Sequence, residues 1–392
     1  FGIAMRPVGK GGDGGGARWR RRCAVDQRES PMAPDQFVLR RIRNRLLLMA
    51  AARLSFLDRW LTLWIALAMA LGLLLGRFAP GIAQALADLS IGSTSIPIAI
   101  GLIAMMIPPF ARVKPRELPK VFADPKSLGM SVVLNWIVGP LLMFGLAWLF
   151  LSDSPELFAG LVLVGLARCI AMVVVWNQLA GGSAEAAAGL VAFNSLFQVL
   201  TYGGYAWLFL TFAAPLVGLP EQTISVGIAQ VASTVALYLG LPFVLGLGLR
   251  WSIVKSKGEG VAAKFNAKFG PVTLIALLFT IVVLFALQGN RILAQPSQVI
   301  RVAIPLTIYF ALMFAVAWIL SKRIGLDYGR TVTQAFTSAS NNFELAIAVA
   351  IGSFGLTSGA AFAATIGPLV EVPVMVALVQ VALRLRGARV VG

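Results

Sequence analysis

The 392-residue chain contains no histidine, only 2 cysteines, and 16 acidic residues against 33 basic ones. Each shortage excludes something. Without histidine the commonest metal ligand and general base is missing, and with it Ser-His-Asp and Cys-His catalysis. The two cysteines lie in different settings, Cys23 in a tail of glycine and arginine and Cys169 in an apolar run, so they do not suggest a disulfide framework. Gly9-Lys10-Gly11-Gly12 lacks the spacing and the strand–helix context of a phosphate loop. Neither a metal nor another cofactor is expected, and the chain does not read as an enzyme.

Charge as a whole is also scarce. Asp, Glu, Lys and Arg make up 12% of the residues and hydrophobic types 58%, whereas a soluble protein carries about twice that charged fraction. Spanning a bilayer takes about 20 mostly apolar residues per helix. Such stretches lie near 60–78, 94–111, 128–151, 157–179, 185–211, 223–249, 270–289, 299–321, 332–354 and 360–383. The fold class they predict is an all-α polytopic membrane protein of ten transmembrane helices.

A net charge of +17 invites a nucleic-acid reading, but its distribution argues against one. With a cytoplasmic N-terminus, 29 of the 33 Lys and Arg fall on the inner side, and only Arg77, Arg291 and Arg301 fall outside, with Arg168 left in the membrane. This is the positive-inside asymmetry, which predicts a multi-pass protein of the cell (inner) membrane with both termini cytoplasmic. The partner is then a lipid bilayer and no nucleic acid.

Residues 1–52 form a basic tail rich in glycine, with Arg18, Arg20, Arg21 and Arg22 after a glycine run. Glycine and like charges build no core, so disorder is expected there. No apolar segment follows the charges as a signal peptide requires, and Met32 or Met49 reads as the true start. From Val38 to Arg59 basic and apolar residues alternate, as in an interfacial helix.

A shift of about 175 residues brings the two halves of the chain into weak register, Ile170–Trp176 falling on Leu345–Ile351 and Cys169 on Glu344. Ten spans divide into 53–213 and 214–392, five in each. An odd number per half turns the second half upside down, and inverted repeats put the substrate site at mid-membrane between interrupted helices. The fourth and ninth stretches are the candidates. One carries Arg168-Cys169 halfway along; the other carries Thr337-Ser338-Ala339-Ser340-Asn341-Asn342-Phe343-Glu344, mostly poor helix formers and capping types.

An arginine at mid-membrane costs about 2.5–3.5 kcal/mol on insertion scales, and polar groups at that depth mark a pathway. A buried thiol is ordinarily a small hydrophobe. Beside a cation and a helix end, however, it is placed for activation. Glu344, halfway along its stretch, is placed to exchange protons as a relay requires. Glu371 lies between Pro368 and Pro373 in the last stretch and reads equally as an ion-pair partner of Arg168 or as a proton carrier. Asn194 and Gln198 share a helix face at i, i+4, and Asn135 lies in the third stretch. Interhelical hydrogen bonding and ligand contact explain these amides equally well. Pro108-Pro109 reads simply as the end of the second stretch.

These residues carry a resemblance. Gly165–Val173 with Trp176-Asn177, Ser340–Ala348, Gly367–Pro373 and the start at Arg53–Arg59 resemble signatures of the arsenical-resistance efflux permeases, in the bile acid/arsenite/riboflavin transporter superfamily. The resemblance runs from about residue 53 to the C-terminus. It implies a ten-helix inverted repeat with a panel domain and a core domain of crossed broken helices. It also implies secondary active export of arsenite, as neutral arsenious acid and with antimonite as a further candidate, in exchange for protons. The family's essential cysteine carries over to Cys169 and its essential acid to Glu344, with Glu371 a second coupling candidate. Asn341, Asn342 and Asn194 would then match the hydroxyls of a small triol, with Arg168, Asn177 and Gln198 in support. A soft thiophilic cargo suits a sulfur ligand, and a single thiol lets a carrier release what it binds. The alternative on the same fold is a sodium-coupled organic-anion (bile-acid-like) transporter, in which a mid-membrane thiol has no purpose. A membrane enzyme with Cys169 as nucleophile would need Glu344 within reach as base, and a scaffold would need no buried Arg, Cys and Glu.

Overall fold

A computed structural model describes residues 60–91, 94–113, 124–220 and 226–387. The tail 1–52, the family-like start at 53–59 and Cys23 lie outside the described residues.

Apolar runs govern the secondary structure, because a chain in hydrocarbon must satisfy its own backbone and a helix does so within one segment. In chain order the helices are α1 Leu61–Phe78, α2 Pro80–Asp88, α3 Ile96–Arg112, α4 Pro125–Leu151, α5 Pro155–Leu166, α6 Met172–Leu179 and α7 Ala184–Leu216. They continue as α8 Ile228–Asn266, α9 Lys268–Ala294, α10 Pro296–Arg323, α11 Tyr328–Ala339, α12 Phe343–Phe354 and α13 Gly359–Gly387. A two-residue ladder, Ser90–Ile91 with Thr94–Ser95, turns α2 into α3. Six of the helices, α4, α7, α8, α9, α10 and α13, are long and apolar enough to cross a membrane.

Boundaries follow ordinary capping chemistry. Asp124, Ser183, Asp327 and Asn342 each accept a backbone N–H of the first turn of the helix they precede. Pro125, Pro155 and Pro296 open helices where a missing N–H costs nothing. The helical path leaves its geometry at Gly258, where φ is 80° and ψ 170°, a conformation that only glycine adopts easily. Pro108 and Pro109 do not end α3, which runs on to Arg112. They sit so near its C-terminus that few backbone bonds are lost.

The stretches at 157–179 and 332–354 are not continuous helices. Each is a pair of short ones, α5 with α6 and α11 with α12, separated by non-helical backbone at Ala167 and at Ser340.

α1 and α3 pack against α8 and α9, while α5 packs on α4 and α13, and α10 on α11 and α13. The polarity is inside out. Asn135, Arg168, Asn194 and Gln198 are fully buried, whereas Leu200, Leu149 and Val244 are 74%, 67% and 66% exposed. Apolar side chains outside and amides inside are what a hydrocarbon solvent selects.

Candidate functional site

The two interruptions meet. Arg168 and Asn341 form an antiparallel bridge. The Cys169 N–H donates to the Ser340 carbonyl at 3.4 Å, and the Asn342 N–H to the Ala167 carbonyl at 3.1 Å. Backbone groups freed by one break are therefore satisfied by the other, which is how non-helical backbone survives away from water. At Ser340-Asn341-Asn342 the cause is partly local, since serine and asparagine side chains compete for backbone partners. At Ala167-Arg168-Cys169 no helix breaker is present, and the break is held by these tertiary bonds.

On extended backbone, consecutive side chains point to opposite faces. Ala167 and Ser340 are both extended, with ψ 124° and 141°, and their neighbours divide accordingly. The Arg168 guanidinium donates to the Tyr309 hydroxyl at 2.9 Å, to the Ser338 carbonyl at 3.4 Å and to the Gly165 carbonyl. Cys169 goes the other way, into a cavity of about 270 Å³ that it lines with Asn342 and Glu344. The guanidinium's polar contacts thus lie with groups other than the thiol, contrary to the expectation that adjacency in sequence would activate it. The sulfur accepts from the Val173 N–H at 3.3 Å, in the first turn of α6.

Asn342 serves two surfaces. Its Oδ1 caps α12 through the Leu345 N–H at 3.1 Å, and among the described residues its Nδ2 has no protein partner. Asn341, its neighbour, is turned away from the cavity and donates through Nδ2 to the carbonyls of Val164 at 2.7 Å and Ala167 at 3.1 Å.

Other expected site residues sit elsewhere. Asn194 accepts from Trp136 Nε1 at 3.1 Å, and Gln198 accepts from the Arg168 N–H at 2.9 Å. Asn177 accepts from Thr333 Oγ1 at 2.9 Å and donates to the Ser183 carbonyl at 3.1 Å, tying the end of α6 to α11 and the start of α7. Asn135 bonds its own helix at the Ser131 carbonyl, 2.8 Å away. None of these four lines the cavity.

Glu371 corrects one expectation. It accepts from the Ser340 hydroxyl at 2.6 Å, and among the described residues no salt bridge joins it to Arg168, whose partners are all neutral. An arginine in apolar surroundings can be stabilised by carbonyl dipoles as well as by a carboxylate, and here the helix ends supply them.

Several participants were not singled out in the sequence. Met105, Met106 and Met172 line the same cavity as Cys169, but methionine in an apolar helix carries no distinguishing signal. Tyr309 lies 141 positions from its arginine partner, and no local pattern could have joined them.

The family model described as the Sodium Bile acid symporter family matches residues 99–295. The Arsenical-resistance protein Acr3 of Corynebacterium glutamicum is 49% identical over 84% of this chain and 89% of its own length. The Acr3 of Alkaliphilus metalliredigens is 33% identical over 85% and 94%, and an uncharacterized transporter of Synechocystis sp. is 34% identical over 86% and 91%. With its apolar helices, the chain is a multi-pass membrane protein that belongs to the arsenical-resistance permeases of the sodium bile acid symporter family, and it is a transporter, not an enzyme.

Proposed function

We propose that this transporter exports trivalent arsenic as neutral arsenious acid in exchange for protons, with antimonite as a second cargo. The observation that carries the reading is the convergence of Cys169, Asn342 and Glu344 on one cavity. A soft trivalent centre prefers sulfur to carboxylate or amide. The Asn342 Nδ2 offers a donor to a cargo hydroxyl. Glu344 supplies a group that takes up a proton when the cargo leaves. Protonation of Glu344 and occupancy at Cys169 exclude one another, and this alternation couples the two fluxes. If one proton enters per neutral molecule exported, 100 mV supplies about 2.3 kcal/mol, enough for about a fiftyfold gradient.

The scaffold for this cycle, in the same proposal, is ten spans in two inverted halves, 53–213 and 214–392, in an inner membrane with both termini cytoplasmic. The two meeting interruptions support it, since they occupy corresponding places in the halves. Asn341, Gln198 and Arg168 hold the crossing in shape, Asn194 and Asn177 brace the helices around it, and Glu371 is a second proton carrier behind Ser340.

The test is arsenite uptake into everted vesicles under an imposed proton gradient, comparing wild type with Cys169→Ser at equal membrane levels. Accumulation in wild type that is lost in the variant supports thiol-dependent export. Equal accumulation in both removes Cys169 from the mechanism. No arsenite accumulation in either, with controls active, sinks the assignment. It would leave the sodium-coupled organic-anion reading, which the description of the matching family favours.

A further inference from the structure

The name of the matching family implies a sodium ion, and the residues at the crossing can be tested for one. In transporters of this construction a coupling ion at mid-membrane is held by unwound backbone carbonyls and by the C-terminal ends of half-helices. Here those ends belong to α5 and α11, and five of the carbonyls in and beside them are met by donors. The Leu163 carbonyl accepts from the Tyr202 hydroxyl at 2.8 Å. Val164 and Ala167 accept from Asn341 Nδ2 at 2.7 and 3.1 Å, and Ala167 also from the Asn342 N–H. Gly165 and Ser338 both accept from the Arg168 guanidinium.

These carbonyls are therefore already held by donors, and one of those donors is a permanent cation. Arginine stays protonated in any protein environment. This one is fully buried and sits where the negative ends of two helix dipoles converge. Its partners are oxygens without formal charge, the set a sodium ion would take. A free cation brought to the same carbonyls would meet occupied lone pairs and a fixed like charge. These carbonyls do not fit sodium.

We propose that Arg168 is a tethered cation standing where a coupling sodium would otherwise bind, so that this chain has exchanged a diffusible ion for a covalent one. Removing the guanidinium would leave carbonyls of Gly165 and Ser338 and the Tyr309 hydroxyl turned toward one point, a site of the chemistry that sodium or free guanidinium takes. Arg168 would thus be a positioning residue that holds α5 and α11 together without being consumed or released in the cycle.

The experiment compares wild type, Arg168→Ala and Arg168→Lys, purified in detergent and melted in low-millimolar choline, sodium or guanidinium chloride at equal ionic strength. A ligand that binds only the folded state raises its melting temperature. For Arg168→Ala the expected shift in sodium or guanidinium over choline is about 2 °C or more, whereas wild type and Arg168→Lys do not respond. Arg168→Gln, neutral and of similar reach, repeats the comparison if the alanine variant does not accumulate. A wild type stabilised by sodium as much as the neutral variants overturns the proposal, and so does a neutral variant indifferent to all three salts. A second arm needs no variant: proton-driven arsenite uptake by wild-type vesicles is expected to be equal in sodium and choline, and a severalfold rise with sodium overturns the proposal. Only this arm rests on the arsenite reading. The melting arm contains no arsenical, so the two failures are distinguishable.

Discussion

Cys169 and Val173 are joined by a hydrogen bond from the Val173 N–H to the thiol sulfur at 3.3 Å, so the sulfur that faces the cavity also accepts from the first turn of the half-helix behind it. The thiol therefore has a structural duty apart from any ligand duty, and the two can be separated by substitution.

Serine keeps an acceptor for this buried N–H and alanine does not. Cys169→Ala is expected to be about 1 kcal/mol less stable than Cys169→Ser, seen as a lower melting temperature in detergent. If sulfur is the cargo's ligand, both variants lose arsenite uptake alike despite this difference. A serine variant that transports normally would show that this hydrogen bond is the residue's whole contribution.

Asn342 offers the same separation through its two ends. Asn342→Ser keeps an oxygen for the α12 cap but loses the Nδ2 donor. Because serine and asparagine rank alike as N-caps, we expect a smaller stability loss than in the alanine variant, together with weaker arsenite binding, read as a raised half-saturation concentration. Asn342→Ala loses the cap as well and is expected to lose about 1 kcal/mol of stability.

Glu344→Gln preserves shape and removes the titratable proton. The expected result is loss of accumulation driven by a proton gradient, with exchange of labelled for unlabelled arsenite persisting across vesicles at equal pH. Gradient-driven accumulation by the glutamine variant would take Glu344 out of the coupling.

Gly160 lets α5 approach α13 backbone to backbone. A Cβ there would run into the Ala360 carbonyl and Cα, which belong to rigid main chain and cannot swing aside. Gly160→Ala is expected to cost about 1–3 kcal/mol as overpacking, measured by thermal melting. Gly145→Ala, where a Cβ meets nothing, serves as the control without a clash and is expected to be no less stable than wild type.

The Arg330–Asp124 pair, 2.9 Å apart, joins the starts of α11 and α4 but is half exposed. Asp124→Asn keeps the cap on Ser127 and loses only the ion pair. The expected change is under about 1 kcal/mol, and a much larger one would mean the pair locks these helix ends.

Much of this protein is written in local properties of the chain. Helix-forming apolar runs, capping residues and a run such as Ser340-Asn341-Asn342 act over a few residues, so the membrane class, most of the long helices and the places of interruption could be read directly, while α2 and the run of α8 past residue 249 could not. The thiol at Cys169 and the acid at Glu344 stood out for the same reason, as costly groups in an apolar context. Partnership was decided elsewhere. One extended step at the crossing sends Cys169 to the cavity and Arg168 to the opposite face, and likewise separates Asn342 from Asn341. Glu371 meets Ser340 rather than Arg168, and Arg168 meets Tyr309 on α10. Hydropathy is summed along the chain, but which side chains meet depends on how two broken helices cross in three dimensions, and a rotation of one residue there reverses every assignment.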